Sequence, residues 1–175
     1  MRKKIVSPLL LSMAAFLLSW VGAVHASGVV NENTISLELA LQAAKTANDH
    51  CLEIGFKPTT TVVDQRGQMK VQLHSDGGFP HAVETSYRKA LTAASRREAT
   101  SIIEAENEHE PQLGAVFNEI GLITLSGGIP IYFDGEVIGA IGVAGAPGED
   151  DSGKEYDDIC AEQGIKAISS ELSPD

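Results

Sequence analysis

Histidine is the natural starting point, because its imidazole titrates near neutrality and ligates metals. Five occur, at His25, His50, His74, His81 and His109. His74 and His81 flank Asp76-Gly77-Gly78, with Phe79 between them. The pattern His74-x-Asp76-x4-His81 offers two imidazoles and a carboxylate, a donor set that a divalent cation accepts, although at loop spacing. Taken singly, either histidine reads equally well as a surface or cap-region side chain. His50 falls late in a helical pattern, and His109 in the acidic run Glu104-Ala-Glu-Asn-Glu-His-Glu110, so both are expected at the surface.

Basic residues form the second concentration. Arg88, Lys89, Arg96 and Arg97 bring four of the 13 lysines and arginines into one short stretch. At about 100° per residue, His81, Thr85, Arg88, Lys89 and Arg96 share one arc of a helix. Such an arc is either a solvated basic face or a local anion site. No Ser-His-Asp order, paired buried carboxylates or cysteine beside a base can be assigned. The chain as a whole carries a net charge of −11, which excludes a nucleic-acid binder because phosphate neutralisation needs clustered cations over a wide surface. Aromatic content of 5% leaves little for stacking platforms.

The N-terminus sets the expected compartment. Arg2, Lys3 and Lys4 precede an apolar run from Pro8 to Val24, and Val24-His25-Ala26-Ser27 supplies the small residues of a cleavage site. Residues 1–26 are therefore expected to be a secretory signal peptide, with an uncleaved anchor as the alternative, since the run approaches bilayer-spanning length. No later stretch has that length, so no transmembrane segment is expected after signal removal. A periplasmic or secreted location follows. Residues 27–34 read as a flexible lead-in, 35–170 as one domain and 171–175 as a tail. Export makes Cys51 and Cys160 either a structural bridge or two buried thiols. Without a C-x-x-C pair they form neither a zinc ribbon nor a thioredoxin-type site.

These residues need elements to position them. Leu37, Ala40, Ala44, Ala47, Cys51 and Ile54 recur at helical steps, with Ser36 as N-cap and Gly55 as stop. Thr59–Val63 and Met69–Leu73 alternate around Asp64-Gln65-Arg66-Gly67 as a hairpin. Pro80 opens a helix expected to run to about Thr100. Gly121–Leu125, Ile129–Phe133 and Glu136–Val143 read as three strands, the last two joined by Asp134-Gly135. Gly139, Gly142 and Gly145 mark close backbone packing, within the domain or between subunits. They are not a dinucleotide fingerprint, because they follow a hairpin. A final helix carries Tyr156, Ile159, Cys160, Ala167 and Ile168. The order describes an α+β domain with a largely antiparallel sheet.

Ser126-Gly127-Gly128-Ile129-Pro130-Ile131 followed by Asp134-Gly135-Glu136-Val137-Ile138-Gly139-Ala140-Ile141-Gly142-Val143-Ala144-Gly145 resembles the signature of the GlcG/HbpS family. These are heme-binding domains, also found at the C-terminus of PduO-type proteins. The resemblance continues in Val63-Asp64-x-x-Gly67, Asp76-Gly77, Tyr87-Arg88-Lys89-Ala90-x-Thr92-Ala93, Asp151 and Cys160-Ala-Glu-Gln-Gly164, across residues 35–168. His74 stands where the family commonly has Arg, and Ala144 where it commonly has Ser.

The resemblance implies a profilin-like fold, with a five-stranded antiparallel sheet carrying packed helices, and a homo-oligomer. It implies heme as cofactor and a role in scavenging, buffering or sensing, with a membrane sensor as possible partner. Weak oxidative heme degradation, or a cofactor-free partner-binding module, are the alternatives. Heme needs an axial donor, an apolar wall and cations for its propionates. On this reading His81 and His74 are the candidate iron ligands, Phe79 is the wall, and Arg88 and Lys89 are the propionate partners. In the implied fold the terminal helices lie on one side of the sheet, which could bring Cys51 and Cys160 together; a bridge forms only if they face each other directly, and two buried thiols are the alternative.

Overall fold

A computed structural model describes Gly28 and residues 30–172; the signal-peptide expectation and the last three residues of the tail lie outside the described residues. The described residues before Asn33 belong to a separate unit without helix or strand, and the remainder forms one compact unit.

That unit begins with α1 (Leu37–Glu53), whose first turn is closed by Ser36 Oγ accepting from Leu39 N–H. Strands β1 (Thr59–Asp64) and β2 (Met69–His74) follow as a hairpin. Helix α2 (Ala82–Arg96) comes next, then α3 (Thr100–His109) and α4 (Gln112–Glu119). Strands β3 (Gly128–Phe133) and β4 (Glu136–Ala144) form the second hairpin, and α5 (Tyr156–Ile168) closes the chain with a short 3-10 turn at Ser169–Leu172.

The sheet is antiparallel, has four strands and runs β2-β1-β4-β3. Burial explains the order. β1 and β4 sit in the centre, and the register Val62↔Ile141 and Thr60↔Val143 turns their apolar residues to one face. On that face α1 and α5 pack with Ala40, Ala44, Ala47, Ile141 and Val143 in one core. On the other, Val63 and Ala140 meet Ala90, Ala93 and Ala94 of α2. Pro130, which lacks an N–H, is accommodated because β3 is an edge strand.

The five-stranded expectation is corrected by residues 121–125, which form no strand. Gly121 takes φ +82 to stop α4, and Leu122 is drawn into a small core with Ile103 and Phe117. The backbone is then satisfied by side chains rather than a ladder. Ile123 N–H donates to Thr92 Oγ1 at 2.9 Å, and Ser126 N–H to Glu104 at 2.9 Å. The helix expected to reach Thr100 also stops early. Arg97 adopts the left-handed conformation, φ 57 and ψ 36, and caps α2. Glu104–His109 of the acidic run lie in α3, with Ile103 of the same helix buried.

The two cysteines are bridged, with Cα atoms 5.6 Å apart and both residues fully buried. Small residues permit this: an added Cβ at Gly164 would lie 2.6 Å from Ala43 O, so α1 and α5 approach almost backbone to backbone. Gly142 plays the same part on the opposite face, where an added Cβ would meet Ser86 O at 2.2 Å.

Candidate functional site

The loop between β2 and α2 is built by backbone needs. Ser75 N–H donates to Pro58 O at 3.0 Å, and its buried hydroxyl meets the Asn48 side chain at 3.1 Å. Gly77 turns the chain at φ +75, and Gly78 N–H closes the turn on Ser75 O at 2.9 Å. At Gly78 an added Cβ would press on His74 Cε1 at 2.9 Å and on Lys57 O at 2.9 Å. A side chain there would displace the His74 ring.

Within this frame His74 is exposed, and its Nδ1 lies 2.6 Å from Thr59 Oγ1, the residue opposite it in the β1–β2 register. With Nδ1 engaged, Nε2 is the nitrogen available to a ligand. Phe79 and His81 are also exposed, and their rings stack at 5.6 Å between centroids and 26° between planes. Lys57 reaches over the turn, with its Nζ 3.0 Å from where a Gly77 Cβ would stand. Lys57 is distant from residues 74–97 in sequence, and the pairing of β1 with β2 brings it to this loop.

Arg88 and Lys89 point elsewhere. The Arg88 guanidinium donates to Gly121 O at 3.1 Å, to Asn118 Oδ1 at 2.7 Å and to Leu122 O, tying down the segment after α4. Lys89 is buried and ion-paired with Asp157 at 2.7 Å. Asp157 also accepts from Ala146 N–H at 2.9 Å, and Asp158 accepts from Gly127 N–H at 2.7 Å. Burial pushes both carboxyls above the usual carboxylate range, against the pull of Lys89 and these N–H donors. The cluster clamps α2, both glycine turns and α5 together. In the sequence, Asp157-Asp158 resembles an ordinary acidic first turn, and nothing there signals burial.

His50 is half-buried in the last turn of α1, and His109 is exposed at the end of α3. Among the described residues no group of three or more His, Cys, Asp or Glu side chains converges to hold a metal ion, so His74, Asp76 and His81 make no ready three-ligand site. For heme the donor set fits better. It has two exposed imidazoles, one of them held through Nδ1, and an aromatic face on one loop, with the Lys57 ammonium beside it.

The family model described as haem degrading protein HbpS-like matches residues 35–166. The chain belongs to this family. It is 32% identical over 120 residues to a 15.0 kDa protein of the dhaT-dhaS intergenic region of Citrobacter freundii, covering 67% of this chain and 84% of that one. It is 30% identical over 112 residues to protein GlcG of Escherichia coli K12, covering 63% of this chain and 81% of GlcG. The crystal structure of HbpS matches at TM-score 0.73 and 30% identity, covering 83% of this chain and 98% of that one. The PduOC:heme complex shares the fold at TM-score 0.69 and 22% identity, covering 77% and 95%. The α+β fold with its antiparallel sheet is thus the fold of the HbpS-like family. No helix among the described residues is long and apolar enough to cross a membrane.

Proposed function

We propose that this chain is an exported heme-binding protein, periplasmic or secreted, that scavenges, buffers or senses heme. The observation that carries the reading is membership of the HbpS-like family across residues 35–166. The signal-like residues 1–26 support export. The homo-oligomer, the profilin-like layering and the membrane sensor partner that the family resemblance implies belong to the same reading.

His74 and His81 are the proposed iron donors and Phe79 the apolar face. Thr59 orients the His74 ring, and Gly78 leaves space beside it. Heme, when bound, supplies a redox-active iron. Because Arg88 and Lys89 already hold partners, Lys57 is the residue proposed to meet a propionate, while those two brace the elements behind the loop.

The family description favours heme degradation as a second reading. Titration of the exported protein with hemin, followed by absorption, tests both. A saturable Soret shift is expected; decay of that band with ascorbate or peroxide assigns degradation, and a stable band assigns binding alone. A spectrum identical to free hemin contradicts both and leaves the cofactor-free module.

A further inference from the structure

A cavity lies well outside the loop just described. It opens at the β3 edge between α3 and α5, with a volume of about 620 Å³, within the usual range for small-molecule sites. Ile102, Ile129, Pro130 and Ile165 form its walls. Ile102 is 49% exposed and Tyr132 45%, so this is apolar surface left open to water at a concave place.

Its rim carries two basic and two acidic side chains. Arg97 and Lys166 both line it, both are exposed, and neither side chain makes a hydrogen bond or ion pair among the described residues. Two acids share the rim. Glu162 is held by Lys154 at 2.6 Å, which leaves Glu98 as the one carboxylate facing two cations. With Glu162 paired, two cations stand against one carboxylate here, in a chain of net charge −11 where an anion is repelled from most of the surface.

The backbone adds an independent observation. Arg97 is a non-glycine residue in the left-handed region, at φ 57, and its carbonyl accepts from Tyr132 Oη at 2.7 Å. Glycine is the residue suited to such a helix end. Strain of this kind persists where its neighbours enforce it. Here Tyr132 holds it, and the conformation sets the arginine at the cavity mouth.

We propose that this cavity binds an amphipathic carboxylate: an apolar chain or ring seated on the isoleucine walls, with its carboxylate between Arg97 and Lys166. No histidine lines the cavity, and the Tyr132 hydroxyl is already engaged, so recognition rests on the carboxylate and the apolar body and needs no iron. The proposal stands apart from the heme reading.

Calorimetric titration of the exported protein with decanoate, and with decanol as its uncharged counterpart, tests it. Decanoate is expected to bind at one per chain, and decanol about tenfold more weakly, as befits loss of a charge-assisted contact. Arg97→Gly should raise the melting temperature, by relieving the left-handed Cβ, while weakening decanoate about tenfold. Opposite signs in the two readouts separate binding from folding. Lys166→Gln should weaken decanoate in the same sense, and His74→Ala/His81→Ala should leave it unchanged. Equal affinity for decanol and decanoate, wild-type affinity in Arg97→Gly/Lys166→Gln, or no binding of decanoate up to millimolar concentration would each overturn the proposal.

Discussion

Lys89 is 4% exposed and Asp157 8%, and a buried ammonium of this kind is tolerated only beside its carboxylate. Removing one partner strands the other. Asp157→Asn is expected to lose about 3–5 kcal/mol of stability in urea unfolding. Asp158 behaves differently. Its acceptor role toward Gly127 N–H survives in Asp158→Asn, while the buried charge disappears, so that variant should match or exceed wild type at neutral pH. The pH dependence follows from the same groups. Burial raises the folded-state pKa values of Asp157 and Asp158, so between the ordinary carboxylate pKa near about 4 and those raised values the native state binds more protons than the unfolded chain. Their contribution to stability therefore falls as pH rises through that window and is level above it. Thermal melts of wild type and Asp158→Asn across mildly acidic pH should differ in slope, with wild type losing more as pH rises. Parallel slopes would contradict the assignment.

Two close approaches decide how the elements fit. With Ser86 O only 2.2 Å from a Cβ at position 142, Gly142→Ala must push α2 off the sheet. A loss of about 1–3 kcal/mol is expected from such overpacking. On the other face the Cys51–Cys160 bridge spans 109 residues, and Cys51→Ala/Cys160→Ala should lose about 4–5 kcal/mol in the chain-entropy model. Thiol titration of the denatured, unreduced protein should find none free. The sequence was legible where periodicity is strong. Ser36 to Gly55, both hairpins and the last helix emerge within a residue or two of the spacing that defines them. The glycines at 139 and 142 announced backbone contact, which proves to be within the domain, against Val63 O and Ser86 O. Failure came where side chains replace a ladder. Gly121–Leu125 has strand composition, but Arg88 and Thr92, distant in sequence, take its backbone groups, and Glu104 takes the N–H of Ser126 just after it. Arg97 lacked the glycine that signals a helix end, which hid the break between α2 and α3. At the candidate site the stacking of Phe79 on His81 follows from their spacing, whereas Lys57 and the Thr59–His74 contact depend on strand register.

At the scale of the whole molecule, the disulfide suits the oxidising compartment of the proposed export. The mature form is expected to begin at Ser27, which intact mass will check. Light scattering at micromolar concentration is expected to show an oligomer, and a monomer alone would remove that part of the functional reading. The loop from His74 to His81 is proposed to hold heme iron. Hemin titration of His74→Ala/His81→Ala beside wild type, read at the Soret band, tests it most directly. A saturable shifted band is expected in wild type, with its position changed or the shift lost in the double variant. An unchanged band position and affinity in the double variant would contradict it and place the iron elsewhere on the protein.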